Sequence, residues 1–166
     1  KYGYIEKGAL TVKGHFSSQV FADEITMGEI FATDIIDKLD EYQILLLLCA
    51  LAYESSLGHE FKQIFKDEKL RDLFNILRDS PYLSREKKFE NLLITTTLVY
   101  PIYHGKNFFE VLKLSNLLEG DLIRLYAQML DRIGQIRKAS TDFRVLNKMN
   151  SCKEIIERSL EGIYLV

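Results

Sequence analysis

Apolar residues recur every three or four positions along most of this chain, which is the spacing of an amphipathic α-helix. The pattern predicts about seven or eight helices, of which the fourth is broken. They lie near residues 15–24, 27–37, 41–54, 59–78, 85–104, 107–114, 120–139 and 142–163. The stretch before residue 13 differs, because Tyr and Ile residues stand between Gly3 and Gly8 as in a hairpin. We therefore predict an all-α, compact multi-helix bundle with a short extended N-terminal segment.

Capping residues mark several of the predicted helix ends. Three pairs have the spacing of a capping box, in which each side chain bonds the other residue's free backbone N–H. These pairs are Thr26 with Glu29, Asp40 with Gln43, and Asn107 with Glu110. Pro101 is expected to kink or end its helix, and Gly105 suits the left-handed position that follows a helix.

Length and composition indicate one globular domain. The chain has 166 residues, 47% of them hydrophobic and 28% charged, which is enough apolar material to form a core. No long Ser-, Gly- or Pro-rich linker divides it. We predict that residues 1–12 lead in from an upstream domain and that residues 13–166 form the bundle. The chain opens "KYGYIEKG" without Met, which favours a fragment of a longer protein.

Charge and hydropathy exclude several classes of protein. The net charge of −2 argues against extensive neutralisation of phosphates, so any contact with nucleic acid should be local. The longest apolar run, from Ile44 to Tyr53, is about half of what a bilayer span needs, and it predicts a buried helix. No signal peptide precedes it. Cys49 and Cys152 lie in apolar helical patterns and are predicted to be core residues of an intracellular protein.

The sequence lacks the motifs of several enzyme classes. GxxxxGK[ST], GxGxxG and GxSxG do not occur. His15, His59 and His104 have no His or Cys partner at helical ligand spacing, so they are interpreted as surface or helix-end histidines. Acidic pairs such as Asp23 with Glu24 fall at helix ends, where capping or the helix dipole explains them. We predict no catalytic residue and no metal or cofactor site in this chain alone.

One predicted helix has two clearly different faces. "LLEGDLIRLYAQMLDRIGQIRK" runs from Leu117 to Lys138. Its predicted buried face is broad and consists of Leu122, Leu125, Tyr126, Met129, Ile133 and Ile136, with Ile123 and Leu130 widening the stripe. The polar side carries Arg132 and a polar ridge, which we define as Arg124, Gln128, Asp131 and Gln135. The ridge is either a solvated face with intrahelical pairs, or a surface that contacts a single nucleic-acid strand. Periodicity does not choose between these two functions.

The same helix, "LEGDLIRLYAQMLDRIGQI", resembles the hallmark helix of the DSHCT domain. This is the C-terminal domain of superkiller-type, exosome-associated DExH-box RNA helicases. Four further stretches resemble the family in order, namely "LTVKGHFSSQVFADEITMGEIF", "LLLLCALAYESS", "VYPIYHGKNFFEVLKLSNLLEGD" and "LNKMNSCKEIIERSLEGIYLV". The chain departs from the family at Gln128, where a second basic residue often stands, and residues 57–85 match little of the pattern.

The resemblance implies a non-catalytic helical domain of an ATP-dependent 3′–5′ RNA helicase. Such a domain packs on the motor and lines the single-strand channel with a ratchet helix, here residues 120–139. The implied nucleic-acid-binding residues are Arg124, Gln128 and Asp131, with Glu54 at the end of the third helix as a further candidate.

Partners and cofactors follow from the same resemblance. The implied partners are single-stranded RNA, the motor domains of the same protein and the RNA-decay machinery, with no membrane. ATP and Mg²⁺ would bind in the upstream motor, and the location would be cytoplasmic or nuclear. Two alternatives stay open, a free-standing helical interaction module without a motor and the ratchet domain of a DNA helicase. RNA and DNA are not separated, because the discrimination depends on contacts to the 2′-hydroxyl.

Overall fold

The computed structural model describes residues 2–163, and this part of the chain folds into eight α-helices, three short 3₁₀ helices and one hairpin. The α-helices are α1 (Val12–Ser18), α2 (Glu24–Phe31), α3 (Glu41–Ala52), α4 (Glu68–Arg78), α5 (Leu92–Tyr103), α6 (Phe108–Leu112), α7 (Glu119–Ala139) and α8 (Phe143–Ser159). The 3₁₀ helices are Asp34–Lys38, Leu83–Arg85 and Lys87–Asn91. The hairpin pairs β1 (Ile5–Glu6) with β2 (Ala9–Leu10) in antiparallel register. The predicted all-α bundle with an extended N-terminal segment is therefore confirmed.

Helix α3 is the centre of the bundle, because it is apolar on every side. From Tyr42 to Ala52 each residue is buried. A helix without a polar face is stable only when other elements enclose it, and α4, α5, α7 and α8 all pack against it. Among the described residues, no helix combines the length and the apolar character that a bilayer span requires. Residue 1 and residues 164–166, which the predicted boundaries include, lie outside the described part.

Both cysteines belong to this core, as predicted. Cys49 and Cys152 are free thiols with buried side chains. Burial raises the pKa of each thiol above its ordinary value, which keeps both side chains neutral. They therefore behave as small apolar residues in the packing of α3 and α8.

Two of the three predicted capping boxes are confirmed. Asp40 Oδ1 accepts from the Gln43 N–H and Gln43 Oε1 accepts from the Asp40 N–H, each at 2.9 Å. Asn107 and Glu110 form the same reciprocal pair at the start of α6.

The third predicted capping box, at Thr26 and Glu29, is wrong. Both α1 and α2 begin three residues before their predicted starts, so Thr26 lies inside the first turn of α2. Its hydroxyl donates to the Glu86 carboxylate at 3.0 Å. Glu29 accepts from Lys13 Nζ at 2.8 Å instead of capping a helix. Both side chains have distant partners that compete with the local cap.

The predicted helices at 59–78 and 85–104 begin later than expected. Helix α4 begins only at Glu68, because the residues before it pair with a distant part of the chain. Phe61 forms an isolated antiparallel bridge with Ser115, and the Lys62 N–H donates to the Leu114 carbonyl at 2.7 Å. Helix α5 begins at Leu92, after two 3₁₀ turns. It ends two residues after Pro101, and Gly105 has the predicted left-handed conformation with a φ of 88°.

Candidate nucleic-acid interface

Helix α7 is held firmly on the core by one continuous apolar face. The six residues predicted for the centre of that face are buried, and Ile123 and Leu130, which were predicted to widen it, are partly buried against the core. In addition, the Tyr126 hydroxyl donates to the Leu98 carbonyl of α5 at 2.6 Å. Glu119 and Asp121 stand in the first turn and Arg137 and Lys138 in the last, where their charges complement the helix dipole. The opposite face of α7 is therefore presented on a rigid support.

Three residues of the polar ridge lie on that opposite face with exposed side chains, namely Arg124, Gln128 and Asp131. Arg124 Nη1 lies 3.5 Å from Asp121 Oδ1, and the Arg124 side chain is 71% exposed. An ion pair that is this long and this accessible to water contributes little to stability. Within the described part of the chain, the side chains of Gln128 and Asp131 make no hydrogen bond or ion pair. All three side chains are thus available to a partner.

A groove runs along this face of α7, between the helix and the segment that follows α3. It consists of two adjoining cavities of about 300 and 380 Å³, which share Glu54 and Gln128 in their walls. Arg124 lines the first cavity, and Asp131 lines the second. We call this feature the α7 groove. The structure thus brings together the four residues that the sequence predicted as a site, although Glu54 and Arg124 are 70 positions apart (124 minus 54).

The loop that carries Glu54 is tied down on both sides. The Tyr53 hydroxyl lies 2.7 Å from His59 Nδ1, which closes the loop on itself. The Glu60 N–H donates to Asn116 Oδ1 at 2.8 Å, which fastens the loop to the segment before α7. Glu54 itself is exposed. The carboxylate therefore projects from a fixed backbone into the α7 groove.

The other two residues on the predicted polar side of α7, Gln135 and Arg132, have partners outside this helix, where the sequence predicted either intrahelical pairs or a nucleic-acid strand. Gln135 Oε1 accepts from the Phe21 N–H at 3.1 Å, so this member of the polar ridge holds the α1–α2 connection. Arg132 Nη1 lies 2.7 Å from Asp23 Oδ2, and the two side chains are only 13% and 12% exposed. Lys88 Nζ reaches the other oxygen of Asp23 at 2.7 Å. These partners could not be found by periodicity, because Asp23 and Arg132 are 109 positions apart.

Asp23 therefore has a different role from the one predicted. It precedes α2, but its side chain makes no capping hydrogen bond. Burial alone would raise the pKa of Asp23, yet the hydrogen bonds and charges of Lys88 and Arg132 outweigh it and hold the pKa below its ordinary value. The carboxylate is ionised at neutral pH. Two cations around one carboxylate leave one net positive charge beside the second cavity of the groove.

We expect Asp23→Asn to lower the free energy of unfolding by about 2 kcal/mol at pH 7, because it leaves Arg132 partly buried without its counter-charge. Asparagine tolerates the left-handed backbone at this position, where φ is 52°. The pKa of Asp23 is lower in the folded state. Its contribution is therefore complete above the unfolded pKa of about 3.9 and is lost as the pH falls through the folded pKa. Urea titrations at pH 7 and pH 3 measure the loss of stability in Asp23→Asn and its dependence on pH.

The difference in stability between wild type and Asp23→Asn should therefore shrink on acidification. Asp131→Asn, at an exposed position on α7, serves as the matched control and should change stability by less than about 0.5 kcal/mol. Equal losses in the two variants would contradict the role assigned to the Asp23 ion pairs.

Comparison with known proteins adds one finding. A family model described as "DSHCT (NUC185) domain" matches residues 7–160, which is nearly the whole chain. No curated protein is similar enough to the chain to count as a match.

Proposed function

This chain belongs to the DSHCT domain family, the C-terminal domain of Ski2-like helicases, and from that membership we propose that its α7 groove contacts single-stranded nucleic acid. In this proposal α7 is the ratchet helix that lines the strand's channel, and the natural substrate is RNA. Arg124, Gln128, Asp131 and Glu54 are the residues that face the strand. The observation that carries the proposal is their convergence on one groove from α7 and from the loop that follows α3, which ends at Ala52, two residues before Glu54.

The chemistry of the α7 groove suits a strand that must move. The groove offers the guanidinium of Arg124, the amide of Gln128 and the carboxylates of Glu54 and Asp131. This mixture of donors and acceptors can meet phosphates and base edges of any sequence. Because positive and negative charges nearly balance, the contacts are weak, and weak contacts allow the strand to advance. A strongly basic helix would hold the phosphates and slow the strand.

The energy for movement comes, in this proposal, from motor domains outside this chain. Those domains bind ATP and Mg²⁺, and no phosphate-binding loop occurs here. Exposed apolar side chains around the hairpin and the start of α1 suit packing against such a motor. The most exposed are Ile5 and Val12. The helicase as a whole would act in RNA processing or decay as a cofactor of the exosome class.

The proposal is tested by Arg124→Ala in the intact protein that contains this chain. We expect the affinity for a single-stranded RNA to fall about tenfold, because one charged contact is lost. The slope of log affinity against log salt should decrease by about 0.7, the value for one phosphate contact on a single strand. RNA-stimulated ATP hydrolysis and unwinding should fall with it. The melting temperature should stay nearly unchanged, since the Arg124 side chain is 71% exposed and its ion pair is weak.

Arg137→Ala is the matched control, because Arg137 is an exposed arginine on the same helix that lines neither cavity. It should leave affinity and salt slope as in wild type. Equal effects of the two variants, or none in either, would contradict the proposal. Repeating the titrations with a single-stranded DNA of the same sequence measures which nucleic acid is preferred. A large loss of stability in Arg124→Ala would show that this residue is structural.

A further inference from the structure

We propose that Phe21 is a base-stacking platform at the end of the α7 groove that lies beside Gln135. The inference rests on the proposed function and adds to it a binding residue outside α7 and the loop after α3. Its ligand is a nucleobase of the same single strand. The Phe21 backbone is bonded to Gln135, and the next residue is Ala22; both Gln135 and Ala22 line the second cavity.

Phe21 is unusually accessible for an aromatic residue, with 83% of its surface exposed. Single exposed apolar residues are common on protein surfaces, so exposure alone does not indicate a binding residue. What distinguishes Phe21 is its attachment to α7, because its backbone N–H donates to Gln135 Oε1 at 3.1 Å. The polar ridge of α7 thus holds the backbone from which this exposed ring extends.

The backbone on both sides of Phe21 is also fixed. Val20 before it is buried in the core. Two residues after it, Asp23 holds both Arg132 and Lys88 by ion pairs of 2.7 Å. Because the backbone is already fixed, stacking has to order only the side-chain torsions of Phe21, which lowers the entropic cost of binding. A residue on which nucleobases stack requires this combination of an exposed ring and a rigid backbone.

The position of Phe21 complements the charged contacts of the groove. Arg124 and Gln135 are 11 residues apart on one helix, which corresponds to about 16 Å along its axis. The groove therefore has a cation at one end and the backbone of Phe21 at the other. Lys88, whose side chain is 46% exposed, lines the second cavity together with Ala22 and can approach a phosphate. Stacking on an aromatic ring does not depend on base identity, which matches the sequence-tolerant contacts proposed for α7.

The test uses the intact protein and three substitutions. Phe21→Ala should weaken binding of a single-stranded RNA about tenfold, within the range for loss of one base–aromatic stack. Its salt slope should stay as in wild type, because no charge is removed, and this separates it from Arg124→Ala. Phe21→Tyr keeps the ring and should bind as wild type. Phe143→Ala is the matched control, since Phe143 is 72% exposed and, unlike Phe21 with Ala22, has no neighbour in the chain that lines either cavity.

A second measurement locates the ring directly. A complex of the protein with an RNA that contains 5-iodouridine is irradiated, and the crosslinked peptide is identified by mass spectrometry. We expect a crosslink to the peptide that contains Phe21, and we expect Phe21→Ala to remove it.

The outcomes separate this inference from the proposed function. If Arg124→Ala weakens binding but Phe21→Ala does not, the inference fails and the proposed function stands. If neither substitution changes binding, the proposed function fails and the inference fails with it. If Phe21→Ala changes activity or stability without any crosslink at Phe21, the ring contacts protein rather than a base, which also overturns the inference.

Discussion

Ile133→Asp should unfold the bundle. The Ile133 side chain is 1% exposed, on the face of α7 that is turned towards the core. Aspartate there would place a carboxylate in an apolar environment without a partner and remove the packing of the isoleucine. The expected loss is at least about 5 kcal/mol, which equals the whole stability of many domains of this size.

Far-UV circular dichroism and urea titration measure this effect. Gln128→Asp introduces the same carboxylate on the same helix at an exposed position, and it should remain folded. A folded Ile133→Asp protein would mean that α7 is rotated about its axis relative to the present structure. In that case Arg124, Gln128 and Asp131 would not share the exposed face, and the candidate site would fail with the fold.

Gly28→Ala should lower the free energy of unfolding by about 3 kcal/mol, at the upper end of the range for overpacking. Gly28 is buried in α2, where α1 and the N-terminal segment approach closely. A Cβ atom at this position would overlap Ser17 Oγ and would lie 2.8 Å from Cε1 of the Tyr4 ring. The Tyr4 hydroxyl donates to the Ile25 carbonyl at 2.7 Å, so the ring cannot move away without losing that bond. The substitution should therefore loosen the hairpin and α1 from α2.

Gly134→Ala should have the opposite effect on stability in the same experiment. Gly134 also lies inside a helix, but a Cβ atom there meets nothing within 4 Å. Alanine should stabilise α7 by about 0.5–1 kcal/mol, because it has the higher helix propensity. Chemical unfolding of Gly28→Ala and Gly134→Ala measures both changes in the free energy of unfolding. Stabilisation by Gly28→Ala would contradict the close packing of Tyr4 and Ser17 against α2.

The fold was predictable wherever local spacing decides the structure. The periodicity of α7 indicated its buried face, and the capping boxes at Asp40 and Asn107 marked the starts of α3 and α6 correctly. The prediction failed where a distant segment competes with the local signal. Residues 59–67 have a partly helical pattern, yet Phe61 and Lys62 pair with the segment before α7. Periodicity contains no information about such a partner.

Two helical glycines show the same limit of prediction from local sequence. Gly28 and Gly134 are both helical glycines, and propensity alone predicts that alanine improves each position. Only the arrangement of neighbouring side chains decides that one substitution is expected to be harmful and the other helpful. Helix propensity describes a residue and its own helix, whereas overlap depends on what other elements place beside it.

The candidate site also has one part that the sequence determined and another that only the tertiary structure decided. The sequence by itself determined that Arg124, Gln128 and Asp131 share one exposed face, because helix geometry places residues three and four apart side by side. Tertiary structure alone decided that Glu54 lies beside them in one groove, that Gln135 holds the backbone of Phe21, and that Arg132 holds Asp23. These contacts cross 70 or more positions of the chain, and such contacts depend on how the helices pack rather than on the spacing within any one of them.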